Sequence, residues 1–350
     1  MRYTRRKTRV VRIGNIKIGG DNKIAIQSMC NAPTKDAKKT IRQIQSLQEA
    51  GCDIVRVAVP DRESLAALAM IKKQASIPIV ADIHFDYRLA IEAAKIVDKI
   101  RINPGNIGGE EKFIQVLEAA KESSIPVRIG VNTGSLEKDL LQKHGKTAEA
   151  VVLSASRALM IAEKIDFRDI VVSLKSSDVL DTINSYRMFS ERFDYPLHIG
   201  VTEAGPLPIG AVKSAVGIGT LLAEGIGDTL RVSLTEDPVE EVYIAKEILQ
   251  GLGLYPGRVF VSCPTCGRTS PNIIKIAKEI EAKTRDIRKP IKIAVMGCEV
   301  NGPGEARDAD IGIAFSKEKA FLFEKGKIVR SINPKQAVNV VLEEIKKLNL

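Results

Sequence analysis

The chain has 350 residues, 44% hydrophobic and 27% charged, which is the composition of a folded globular protein and excludes a largely disordered one. No run approaches the roughly 18 continuous apolar residues of a membrane span, and the basic N-terminus lacks the apolar stretch of an export signal. A cytoplasmic protein with no membrane partner is expected, with Arg5 and Arg6 in a solvated basic arm. The 53 Lys and Arg outweigh the 43 Asp and Glu, giving a net charge of +10 that attracts anions. Aromatic residues are only 4% and Trp is absent, so base-stacking platforms are poorly supplied and phosphorylated metabolites come ahead of nucleic acid.

Strand-like runs recur at 24–29, 54–59, 79–83, 99–102, 127–131, 170–174, 197–201 and 229–234. Helical patterns lie between them at 40–50, 62–74, 87–96, 110–123, 148–164, 179–193, 208–224 and 238–249, with apolar spacings such as Ile41, Ile44 and Leu47. Strands alternating with helices pair in parallel through crossover helices, and eight such units in about 250 residues predict a (β/α)8 TIM barrel. An open doubly wound sheet is less well supported, because Ser28-Met29-Cys30-Asn31 replaces the Gly-rich dinucleotide turn after the first strand. Residues 8–20, with Gly14-Asn15, read as a hairpin able to plug the barrel bottom. Of five cysteines, Cys30 and Cys52 stand among apolar neighbours and are expected to be buried.

A barrel carries its chemistry at the C-terminal ends of its strands, and side chains two apart share a face. Polar residues recur there at that spacing: Asp82 and His84, Arg101 and Asn103, Arg128 and Asn132, Ser173 and Lys175, Arg231 and Ser233, with Arg56 in the second strand. Four arginines and a lysine turned inward are costly unless an anion neutralises them, which predicts a pocket for a diphosphate or multiply phosphorylated ligand. Lys175 is also placed as a Schiff-base lysine would be. His84 and His198 are each an acid–base candidate or a structural histidine. Glu203, the lone carboxylate after the seventh strand, is a proton-donor candidate.

The pattern changes after residue 251, and domains of 1–254 and 255–350 are expected, the second a small α/β unit. A strand at 259–262 leads into Cys263-Pro-Thr-Cys266-Gly-Arg-Thr, and a strand at 291–295 leads into Gly297-Cys298-Glu-Val-Asn301-Gly-Pro-Gly-Glu305. Three thiols converge on one point with no histidine near. A structural zinc site wants four N or S ligands, so an iron–sulfur cluster fits better, with Glu305 as the natural fourth ligand. A degenerate zinc ribbon and a CxxC redox pair are the other readings.

The two cysteine motifs, with Arg101-Ile-Asn103-Pro-Gly-Asn-Ile-Gly108 and His198-Ile-Gly-Val-Thr-Glu203-Ala-Gly205, resemble the 4-hydroxy-3-methylbut-2-en-1-yl diphosphate synthase family over the whole chain, in its two-domain bacterial form. The resemblance implies a [4Fe-4S] cluster on Cys263, Cys266, Cys298 and Glu305, and reductive ring opening of 2-C-methyl-D-erythritol 2,4-cyclodiphosphate in isoprenoid biosynthesis. It implies electrons from flavodoxin or ferredoxin. Arg56, Arg101, Asn103, Arg128, Asn132, Lys175, Arg231 and Ser233 would hold the diphosphate, and Asp82 and His84 would line the same pocket. Glu203 would donate a proton, and Asn301 would sit beside the cluster. The competing enzyme reading is a Schiff-base lyase on Lys175 with a structural zinc tail, and the competing non-enzyme reading is a zinc-ribbon nucleic-acid-binding protein. Connectivity favours a head-to-tail homodimer in which each small domain caps the partner's barrel.

Overall fold

The computed structural model describes residues 4–269, 273–298, 304, 308–316 and 318–348. The chain forms two compact units, Met1–Ile248 and Leu249–Leu350. In the first, β1 (Val11–Ile13) and β2 (Ile16–Ile18) make an antiparallel hairpin. Alternating strands and helices follow: β3 (Ala25–Met29), α1 (Ala37–Ala50), β4 (Ile54–Ala58), α2 (Arg62–Gln74), β5 (Ile79–Asp82), α3 (Tyr87–Ala94), β6 (Lys99–Ile102) and α4 (Glu110–Glu122). The series continues with β7 (Val127–Asn132), α5 (Lys138–His144), α6 (Ala148–Lys164), β8 (Ile170–Lys175), α7 (Val179–Ser190), β9 (His198–Ile199), α8 (Ile209–Ala223), β10 (Thr229–Leu230) and α9 (Pro238–Gly251).

The eight strands β3–β10 run parallel in the order β8-β7-β6-β5-β4-β3-β10-β9. The parallel bridge between Val172 and Leu197 joins the two ends, so the sheet is the expected TIM barrel. Val11, Ile13 and Ile18 of the hairpin pack on Ala25, Ile54, Val80 and Val171 at the starts of their strands, which seals the bottom with apolar side chains. Helix starts at the opposite rim are fixed by side-chain caps. Asp36, Asp61, Asp86, Thr147 and Asp178 each accept a backbone N–H of the first turn.

Three local expectations are corrected. Strands β9 and β10 keep only two ladder residues each; beyond them Arg231 N–H still donates to Ile199 C=O at 3.0 Å before the chain leaves for α9. Helix α5 was not expected, because Leu140 is its one buried residue and a single anchor leaves no periodic signal. The N-terminal arm is not solvated. Arg5 pairs with Asp228 at 2.9 Å, Arg6 donates to the carbonyls of Phe193 and Tyr195, and Arg9 pairs with Asp194 and lies over the Tyr195 ring.

The second unit is a five-stranded sheet in sequence order, β11 (Arg258–Ser262), β12 (Ile291–Met296), β13 (Ile311–Phe315), β14 (Ala320–Glu324) and β15 (Lys327–Ile332). The first three strands are parallel and the last two antiparallel. One face packs on the helices Ile273–Thr284 and Ala337–Lys347 through Ile276, Ile280, Ile293, Ile313, Val341 and Ile345. Among the described residues no helix is long and apolar enough to cross a membrane.

Candidate active site

The strand register turns a set of charged side chains into the barrel. On β6, Lys99 and Arg101 alternate with Ile100 and Ile102, which face the helices; all four are buried. Arg101 Nη1 lies 3.1 Å from Asp82 Oδ1 and 2.6 Å from His84 Nε2. Arg56 Nε approaches Asp82 Oδ2 at 3.9 Å, and its guanidinium rests on Met29 Sδ at 2.8 Å. Across the barrel, Arg231 makes a two-pronged pair with Glu241 at 2.8 and 3.0 Å. Glu241 also accepts Ser28 Oγ–H at 2.9 Å and the Leu234 N–H at 3.1 Å.

Arg128 and Lys175 are different. Both are buried, at 1% and 8% exposure, and neither makes an ion pair among the described residues. Nε and Nη1 of Arg128 have no hydrogen-bond partner there. Burial, then the neighbouring cations, pushes the Lys175 amine well below its usual range. Burial and Arg56 likewise weaken the charged form of Arg128. Arg56 falls to about 10 through burial, which Asp82 opposes. Burial alone would raise the Asp82 carboxyl, but Arg56, the His84 hydrogen bond and Arg101 outweigh it and hold it well below the ordinary carboxylate range.

The remaining expected residues sit at the same rim. Asn103 donates to Ser135 Oγ at 2.6 Å and caps the turn after β6 by accepting Gly105 N–H at 3.0 Å. Asn132 ends β7 in register with Lys175. Ser233 follows Arg231 by two residues on the partly buried segment after β10. Glu203 is exposed on the loop after β9 and holds φ +53, a left-handed conformation uncommon for a non-glycine residue. His198 points into the barrel, fully buried, with both ring nitrogens unpartnered among the described residues. Burial and then Arg128 push its imidazole well below the usual range, so it is neutral.

Sequence reasoning missed Lys99, Gln27 and Glu241. Lys99 and Gln27 shared the alternation that exposed Arg101 and could have been found by it. Glu241, in the first turn of α9, looks like any acidic residue complementing a helix N-terminus.

In the second unit, Cys263, Cys266 and Cys298 line one cavity of about 150 Å³ with Pro264, Arg268, Met296 and Gly297. None of the three is in a disulfide. Cys263 Sγ accepts the Gly297 N–H at 2.9 Å, and a Cβ at Gly297 would lie 3.0 Å from that sulfur. Thr269 Oγ1 lies 3.5 Å from Cys266 Sγ; that hydrogen bond, then a backbone one at Arg268, lowers the Cys266 thiol toward thiolate. These residues suit a sulfur-ligated group: thiolates at a glycine-lined cavity with N–H donors to sulfur. Among the described residues no three His, Cys, Asp or Glu side chains gather closely enough for a single metal ion. Asn301 and Glu305 lie outside the described residues. Cys30 and Cys52 are buried in the barrel as expected, each pushed up to about 12 by burial.

Comparison with known proteins decides the family. Residues 8–246 match the GcpE TIM-barrel domain and residues 259–347 the GcpE protein C-terminal domain. The chain belongs to the GcpE family. It is 56% identical over 347 residues to 4-hydroxy-3-methylbut-2-en-1-yl diphosphate synthase (flavodoxin) of Caldanaerobacter subterraneus subsp. tengcongensis, covering 98% of each chain. It is 55% identical over 342 residues to the protein of that name from Clostridium acetobutylicum, covering 97% of this chain and 98% of that one. Among solved structures, the GcpE barrel is similar to dihydropteroate synthase from Stenotrophomonas maltophilia, at TM-score 0.52 and 14% identity over 71% of this chain and 99% of that one. A similar match is type I 3-dehydroquinate dehydratase from Clostridium difficile, at TM-score 0.51 and 16% identity over 71% of this chain and 97% of that one. These two likenesses concern the fold.

Proposed function

We propose that the chain is an iron–sulfur oxidoreductase of isoprenoid biosynthesis, reducing 2-C-methyl-D-erythritol 2,4-cyclodiphosphate to 4-hydroxy-3-methylbut-2-en-1-yl diphosphate. The observation that carries this is near-full-length identity of about 55% to relatives of that name, joined to a barrel interior whose Arg128 and Lys175 have no counter-ion of their own among the described residues. Ring opening takes in two electrons and two protons, breaks two C–O bonds, one to the ring diphosphate and one to the hydroxyl that leaves as water, and forms the C=C bond of the product. A [4Fe-4S] cluster on Cys263, Cys266, Cys298 and Glu305 supplies single-electron transfer when bound. The name of the relatives supports flavodoxin as the donor, and the chain's net charge of +10 suits an acidic carrier.

The chain's own residues do the rest. Arg128 and Lys175 bind the diphosphate, with Arg56, Arg101 and Arg231 completing the cationic wall. Asp82 and Glu241 aim Arg101 and Arg231 rather than compete for the ligand, because each is already engaged by the guanidinium it orients. His84 stands against Arg101 at the rim, while Asn103, Asn132 and Ser233 supply uncharged contacts. Glu203 delivers a proton to the departing oxygen, and Asn301 acts beside the cluster. Burial, and then its arginine neighbours, push the Lys175 amine well below its usual range, as for a Schiff-base lysine, but the relatives are named for a different reaction. A head-to-tail homodimer gains support from α8, whose Ile209, Val212 and Val216 form an exposed apolar stripe beside Leu207. A cytoplasmic location completes the reading.

The test is anaerobic reconstitution with iron and sulfide, followed by assay with reduced flavodoxin and the cyclic diphosphate. Wild type is expected to bind four irons per chain and form the linear diphosphate. Cys263→Ser, Cys266→Ser and Cys298→Ser are each expected to lose both. Full iron and sulfide content in any one of the three would overturn the ligand assignment.

A further inference from the structure

Beneath the rim lies a second buried polar layer that the proposed reaction does not use. Lys99 has no exposed surface, and its Nζ has no hydrogen-bond partner among the described residues. Gln27 and Thr229 are also buried with unpartnered side-chain atoms among the described residues, as is His198, the register partner of Thr229. The charged groups acting on Lys99 are Arg128 on β7 and Arg56 on β4; Lys99 in turn acts on His198 of β9, and Arg101, two residues on along its own strand, is engaged by Asp82 of β5. On the hairpin side, Val11, Ile13 and Ile18 pack against the starts of the strands.

Among the described residues, six basic side chains, Arg56, Lys99, Arg101, Arg128, Lys175 and Arg231, therefore share the interior with the carboxylates of Asp82 and Glu241. Arginine cannot give up its proton in this setting, but lysine can. An amine without an acceptor, walled in by guanidinium groups, is the group that sheds charge first. Burial and then Arg128 and Arg56 push Lys99 well below the usual lysine range, in agreement. A bound dianion offsets the two excess positive charges of the arginines, which shifts the amine toward its ammonium form relative to the free barrel.

We propose that Lys99 is a proton-uptake site coupled to substrate binding: its amine is neutral in the free barrel and takes one proton from solvent when the cyclic diphosphate binds. The balance is simple. A proton leaves bulk water or buffer, the amine lone pair accepts it, and no bond of the substrate changes. The bound complex then holds, close below the reaction, charge that the free enzyme does not have to bury. This rests on the diphosphate reading of the rim.

The experiment is calorimetric titration of oxidised, cluster-loaded enzyme with the cyclic diphosphate, in buffers of low and high ionisation enthalpy, between pH 6.5 and 9. The apparent enthalpy against buffer enthalpy gives the protons taken up. Wild type is expected to take up about one proton more than Lys99→Met at the pH of greatest uptake. Equal uptake in the two at every pH overturns the inference, because Lys175 or His198 would then carry it. Absence of any binding to wild type removes the diphosphate reading and the inference with it. Lys99→Met deletes an unpartnered buried amine and is expected to fold with an unchanged or raised melting temperature. If it does not fold, the same comparison is made with Lys99→Gln, and uptake equal to wild type there overturns the inference. One proton taken up requires affinity to fall about tenfold per pH unit across the uptake range, and pH-independent affinity refutes the coupling.

Discussion

Replacing Glu241 by alanine tests whether the barrel's arginines are held by dedicated carboxylates. Glu241 is 2% exposed and gathers four hydrogen bonds: two from Arg231, one from Ser28 and one from the Leu234 N–H. Removal strands the mostly buried Arg231 guanidinium and the Leu234 N–H. Ser28 is spared, because it also donates to the Pro238 carbonyl at 3.2 Å. Breaking a buried pair by removing one partner costs about 3–5 kcal/mol. For a unit of the size of Met1–Ile248, each kcal/mol lowers the melting temperature by about 2–4 °C, so Glu241→Ala is expected to melt on the order of 10 °C lower. Calorimetry or circular dichroism reads this directly. The companion variant Glu241→Leu with Arg231→Met removes both charges and is expected to recover most of the loss, since an apolar pair of similar volume is no worse than a buried ion pair. A single variant within about 2 °C of wild type, or a double variant worse than the single, would refute the argument.

Gly130→Ala should weaken substrate binding by tenfold or more with the fold retained, because a Cβ there would lie 2.5 Å from Arg101 Nε and push that side chain off Asp82; an unchanged KM would contradict it. Glu203→Gln should bind substrate nearly as wild type does but turn over about 10²-fold more slowly; a change in KM alone would make Glu203 a positioning residue. Asp82 has a depressed folded pKa, so its stabilisation is whole above the unfolded value of about 3.9 and fades as pH falls below that. The gap in melting temperature between wild type and Asp82→Asn should therefore hold from pH 8 to about 5 and narrow below 4; a gap that widens in acid would reverse the sign of the pairing.

What was legible in the sequence follows from the range of the forces involved. The barrel could be read because strand alternation and helix periodicity are local, and each Asp or Thr cap announces its own helix. The inward arginines could be read for the same reason, since Arg101 and Asn103, or Arg128 and Asn132, share a face by counting. The same counting reaches Lys99 and Gln27, but a polar residue within a strand looks like a solvent-facing one until the barrel closes around it. Pairings were not legible. Arg231 and Glu241 meet because a strand end and the first turn of the following helix fold back on each other, and nothing in ten residues of sequence distinguishes Glu241 from Glu240 beside it. The N-terminal arm shows the same limit. Its arginines meet Asp228, Asp194 and the Tyr195 ring only once the far end of the barrel has closed. That closure is also what makes the charge set unusual. Along the chain the interior cations are spaced out and each looks affordable. Only the closed ring brings six of them together with Asp82 and Glu241, and an excess of that kind is resolved physically in two ways, by an anion or by a lysine that gives up its proton. The barrel contains the means for both: Arg128 and Lys175 toward the ligand, and Lys99 beneath them.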